Sequence, residues 1–146
     1  NNKSRDVLEI ANQMMLGEVA FKSGNKTDGL NHLRQAVELD DNLNYEEPWS
    51  WPQPTRHALG ALLLEVGNYE EAEFVYKADL GIDGKLPRPS QHPKNVWALN
   101  GLHECLQRRN DKIELPHVAF LLQQAEARSD IKINASCLCR SKSSYS

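Results

Sequence analysis

TRHALGALLLEVGNYEEAEFVYKADLG, residues 55–81, decides the fold. Its alanine- and leucine-rich first half carries apolar residues at helical spacing and stops at Gly67-Asn68. A second helical run, opened by Glu70 and Glu71, follows at once. Acidic residues in a first turn favour the helix dipole, so this carboxylate pair needs no catalytic explanation. The stretch reads as two antiparallel helices joined by a tight turn.

The same pattern appears upstream. DVLEIANQMMLGEVAFKSGN, residues 6–25, places Leu8, Ile10, Ala11, Met14, Met15, Val19 and Phe21 over two adjoining faces. Ser4 or Asp6 suits its N-cap, and Gly24-Asn25 ends it. KTDGLNHLRQAVELDD, residues 26–41, puts Leu30, Leu33, Ala36, Val37 and Leu39 on one stripe, with Thr27 or Asp28 as cap. A looser third copy is VWALNGLHECLQRRND, residues 96–111, followed by LPHVAFLLQQAEARSD, residues 115–130.

These residues resemble the tetratricopeptide repeat (TPR) family, whose signature is W-x2-L-G-x2-Y and later A-x3-F. Leu59-Gly60, Ala72 and Tyr76 match it in the second copy. Leu16-Gly17, Gly29 and Leu33 match in the first, and Trp97, Gly101, Val118 and Leu122 in the third. The second copy also resembles a branch of TPR proteins found in bacteria, fungi and other eukaryotes. Departures are plain. Gln13 and Arg56 stand where the family has Trp, Asn100 where it has Leu, and Ala20, Leu63 and Glu104 where it has Tyr. The glycines recur after 43 and 41 residues, beyond the usual ~34. Gly and the small residue are 12 apart in the first two copies and 17 in the third. In such hairpins the Gly lets two helices approach and the small residue receives that approach.

The resemblance implies an all-α fold: a right-handed α-solenoid of three TPR-like hairpins, about six helices. Residues 1–130 form this domain, with repeats at about 4–41, 52–81 and 94–130, and residues 131–146 an extended C-terminal tail. It also implies a concave groove built from the first helix of each hairpin. By alignment, Met14, Glu18 and Phe21, then His57, Ala61 and Leu64, then Ala98, Leu102 and Cys105 line it. That surface is mostly apolar. Met14, Glu18, Ala58 and Ala98 occupy the stretch where one variant of the family clamps a peptide carboxylate with Lys, Asn and Arg, so that clamp is missing.

Between the first two copies lies NYEEPWSWPQP, residues 44–54. Pro52 and Pro54 suit a rigid extended lead-in to the next helix. Trp49 and Trp51 share one side of such a segment and suit an aromatic lid over the seam between repeats, or one of them a ligand site. Asp79 stands seven residues after Ala72, where the other copies have Ala36 and Ala125. A carboxylate at a site that should be buried needs a partner. Arg56, in place of the inter-helix Trp, is the expected one, giving an internal structural ion pair.

With 146 residues, net charge −3 and 25% charged residues, the chain suits one ordinary globular domain. No basic patch argues for nucleic acid. No apolar run approaches the ~20 residues of a membrane span. The chain does not open on Met, so a piece of a longer chain is expected, and a missing signal-peptide core carries little weight. Three cysteines are no disulfide framework and favour a reducing, cytoplasmic compartment. The sequons at Asn25 and Asn134 keep secretion as the alternative. In an extended tail, the thiols of Cys137 and Cys139 face one side. They suit a soft metal such as Cu(I) or a redox pair, with His57, His103 or Cys105 available to help. The alternation of Ile131, Ile133, Ala135, Cys137 and Cys139 supports a tail with one apolar edge able to lie along the groove. His32 and His117 read as surface residues and His92 as a loop residue. No nucleophile triad, phosphate loop or His-Glu-x-x-His motif appears.

The leading expectation is a non-catalytic scaffold that binds a protein or peptide in the groove. Metal-handling or redox chemistry at Cys137 and Cys139 is the alternative, and an accessory domain of a larger enzyme a weaker one. The apolar first helix expects a cap from residues 1–6, a preceding repeat or a second copy of the chain.

Overall fold

The structure, a computed structural model, describes residues 1–140; the end of the expected tail, 141–146, lies outside them. The described residues form six α-helices and no strand: α1 Ser4–Lys22, α2 Lys26–Asp41, α3 Thr55–Glu65, α4 Tyr69–Asp79, α5 Val96–Arg109 and α6 Leu115–Glu126. Short 3-10 turns lie at Arg88–Ser90 and Leu138–Arg140. Each helix packs on the next, and α3 also packs on α5. Among the described residues no helix is long and apolar enough to cross a membrane.

The Gly-Asn pairs work as punctuation in both directions. Gly24 (φ 96°) and Gly67 (φ 79°) take the left-handed conformation that turns the chain out of α1 and α3. The asparagines then start the next helix. The side chain of Asn25 accepts from the Asp28 amide, and that of Asn68 from the Glu71 amide. The cap of α2 is therefore Asn25, two or three residues before the expected Thr27 or Asp28. Neither Ser4 nor Asp6 caps α1, which starts after Lys3 without a side-chain cap. Instead the Asn2 side chain donates to the Asn44 carbonyl, Glu46 and Ser50, and ties the N-terminus to the loop after α2.

Close helix approach is carried differently in each hairpin. A Cβ on Gly17 would lie 2.7 Å from Leu33 Cγ and 3.0 Å from the Gly29 carbonyl, so α1 and α2 touch backbone to backbone. In the second hairpin the space at Gly60 is taken by the ring of Tyr76, not by Ala72. The same ring also fills the space at Gly101 of α5. Tyr76 is fully buried, in the same core cluster as Leu62, Leu63, Leu99, Leu102 and Leu106. One aromatic ring thus joins the second hairpin to the third.

Outside this core, α1 carries Leu8, Met15 and Val19 on an exposed face.

Candidate functional site

After α6 the chain turns back over the first helices of the three hairpins. The side chain of Asn100 on α5 donates to the Ile133 carbonyl. Ser136 donates to the His57 carbonyl on α3 (3.1 Å). Since that bond uses the Ser136 proton, the Tyr76 hydroxyl is the donor in its 2.5 Å contact with Ser136. The turn at 138–140 packs on α3. Arg140 makes two parallel bonds to Glu104 on α5, at 2.6 and 2.9 Å. The Arg140 guanidinium beside it is the main reason why the Glu104 carboxyl sits below its usual value, against the opposing push of burial.

This route changes the status of the expected groove. Met14, Phe21, His57, Ala61, Leu64, Ala98, Leu102 and Cys105 are all buried, and of the nine expected lining residues only Glu18 is half-exposed. The open apolar surface is replaced by a packed interior, partly because the chain's own residues 133–137 lie on it. The alternation in this segment is partial. Ile133, Ala135 and Cys137 are buried, Ile131 is 57% exposed, and Ser136 is buried out of register through its hydrogen bonds. Nor is the described part of the tail extended throughout, since residues 138–140 form a 3-10 turn.

Cys137 and Cys139 are joined by a disulfide. Their sulfurs and a Glu18 carboxylate oxygen lie within 4.8 Å of one another. Glu18 comes from α1, so tertiary structure adds a hard oxygen to the two sulfurs. Burial pushes the Glu18 carboxyl up, with Lys22 one turn on pulling the other way. The expected helpers are elsewhere. Cys105 is buried and its thiol donates to the Tyr69 carbonyl (2.8 Å). Burial pushes that thiol up to about 11. His57 is engaged by Asp79, and His103 is outside the cluster.

The expected Arg56–Asp79 pair is not formed. Arg56 makes two 2.6 Å bonds to Asp41 at the end of α2. Asp79 is 1% exposed and accepts from two imidazoles: His57 Nε2 at 3.0 Å and His92 Nδ1 at 2.9 Å. The His92 amide also donates to the Asp79 carbonyl, at 2.7 Å. Burial pushes the Asp79 carboxyl up, but the two imidazole donors together outweigh it and hold the group below its usual value. The physical reason for the different partner is the path of the chain. Arg56 opens α3 facing the end of α2, whereas the loop 80–95 carries His92 back onto the end of α4. Nothing in the sequence spacing marks His92 as this partner.

The two tryptophans make different contacts at the seam between the first two hairpins. Trp49 is 45% exposed, stacks edge-on against His92 (4.5 Å between ring centres), and donates to the Pro89 carbonyl. Trp51 is half-buried against the core, and its indole N–H has no partner among the described residues. Both line a cleft with Asp40, Arg56, Asp79 and His92. Its volume is about 60 Å³, room for a few waters but far below the ~300 Å³ of a ligand pocket.

No family model matches this chain, and comparison with curated proteins and with solved structures finds no significant match.

Proposed function

We propose that this chain is a TPR-type helical solenoid that binds an extended protein segment across its first helices, without catalysis, and that its own tail is the resident occupant. One observation carries the reading: residues 133–140 contact α1, α3 and α5, the three helices that form the concave face of such a solenoid. They do so as a ligand would. Small side chains enter the apolar surface, one serine satisfies buried polar groups, and one arginine pairs with a carboxylate on the rim. A partner with the same order of small residues, a hydroxyl and a cation would compete for the site.

A labelled peptide of residues 131–140, titrated by fluorescence anisotropy, tests this. The intact chain should bind it at least about tenfold more weakly than a Ser136→Arg chain, because a tethered occupant acts at roughly millimolar effective concentration. Arg140→Glu should shift binding the same way with less strain on the fold. Equal binding by wild type and by both folded variants would reject the reading.

The disulfide favours a second reading, in which the tail is the chemical centre and Cys137 and Cys139 a redox pair. Reaction of the disulfide with a dithiol in the folded chain, without loss of helix, is the outcome it requires.

A further inference from the structure

We propose that two-electron reduction of the Cys137–Cys139 disulfide creates a zinc site from both thiolates and the Glu18 carboxylate, fastening the tail to α1. The inference rests on where the tail lies, not on whether the groove binds peptides.

The geometry is the first argument. One donor atom from each of Glu18, Cys137 and Cys139 lies within 4.8 Å of the other two. A tetrahedral zinc ion with Zn–S near 2.3 Å and Zn–O near 2.0 Å sets its ligand atoms about 3.5–3.8 Å apart. The three atoms are thus gathered near the spacing that one ion would impose, the two sulfurs lying closer than it while they are bonded. The two cysteine Cα atoms are 5.2 Å apart, so releasing the sulfur–sulfur bond and turning the side chains is enough to reach that spacing.

The donor set is the second argument. Two thiolates alone would suit Cu(I), but a carboxylate oxygen is a poor Cu(I) ligand and an ordinary zinc ligand. The backbone amide of Cys139 points at the Cys137 sulfur, 3.1 Å away. Such a donor stabilises a thiolate in place. The set supplies three protein ligands and leaves a fourth position for water or an incoming group.

The chemistry balances. A dithiol reductant gives two electrons and two protons to the disulfide and leaves as its own disulfide, producing two thiols. Zinc then displaces both thiol protons as it binds. The oxidised and the zinc-loaded forms differ in what they hold. The disulfide closes a loop inside the tail, whereas zinc links the tail to α1, on the first hairpin.

The test uses the full chain, reduced with a phosphine, stripped of metal under argon and titrated with zinc against a chromophoric chelator. One equivalent should bind to the reduced chain at least about a hundredfold more tightly than to the oxidised one. Glu18→Gln, a nearly isosteric change at a half-exposed helix position, should weaken binding about tenfold or more. Cys137→Ser with Cys139→Ser should abolish it. Cadmium in place of zinc should produce a sulfur-to-metal charge-transfer band in the ultraviolet. Equal affinity of the reduced and oxidised chains, or wild-type affinity in a folded Glu18→Gln chain, overturns the proposal. Peptide anisotropy is a separate readout, so failure of the groove reading leaves this result interpretable.

Discussion

The hydroxyl of Tyr76 donates to the hydroxyl of Ser136, sixty residues further on, while the ring below it fills the space over Gly60 and Gly101. One side chain thereby connects α3, α4, α5 and the tail. Tyr76→Phe removes only the hydroxyl. It should cost about 1 kcal/mol of unfolding free energy, read as a lower urea midpoint at unchanged slope. Gly60→Ala adds a methyl where the ring lies. It should cost about 1–3 kcal/mol by overpacking, and a smaller residue at 76 should remove most of that penalty. If Gly60→Ala were equally costly with and without the Tyr76 ring, the close approach would not be its cause.

Asp79 provides a sharper test because two partners competed for it. A double-mutant cycle between Asp79 and His57 should return a coupling of about 1–3 kcal/mol, as for groups sharing a buried charged hydrogen bond. The cycle between Asp79 and Arg56 should return about zero, since Arg56 bonds Asp41. A large Arg56 coupling would restore the ion pair that the sequence suggested.

Acid should loosen the tail and the Asp79 cluster together. Glu104 and Asp79 both have folded-state values below the ordinary ones. Their contribution is complete above the unfolded-state values, about 4.3 and 3.9, and is lost as pH falls through the folded ones. Asp40, pushed up mainly by burial, has the opposite sign: its penalty appears as pH rises past its ordinary value. Urea midpoints of the wild type should therefore fall below about pH 4. In Arg140→Gln the Glu104 share of that fall should shrink. An unchanged acid limb in Arg140→Gln would remove the tail anchor from the account.

The folded, oxidised chain should show Cys105 as an unreactive thiol. Its sulfur is buried and donates to the Tyr69 carbonyl, and burial pushes its value up to about 11. Alkylation near pH 8 should then be at least about tenfold slower than for a free cysteine. Mass spectrometry before and after addition of denaturant reads this directly. Fast labelling in the folded state would mean the α4–α5 contact opens readily.

The helices and their turns were legible locally. Residues 55–81 show a helix, a Gly-Asn stop and a second helix because those signals act within one or two turns. The comparison of Asp79 with Ala36 and Ala125 also exposed an anomaly: a carboxylate where the other copies carry a methyl. What could not be read was any contact made across the chain. His92 reaches Asp79 because the sixteen-residue segment between α4 and α5 folds back on itself. Glu18 meets Cys137 and Cys139 because the tail reverses over all three hairpins. The expected groove residues are buried partly for the same reason and partly by contacts between the helices themselves. The sequence by itself determined which stretches form helices and the Gly-Asn stops after α1 and α3, since short-range spacing and turn signals set those. Which side chains meet Asp79, Tyr76 and the cysteine pair was decided only by the tertiary structure, because loop path and tail reversal carry no local periodic signal.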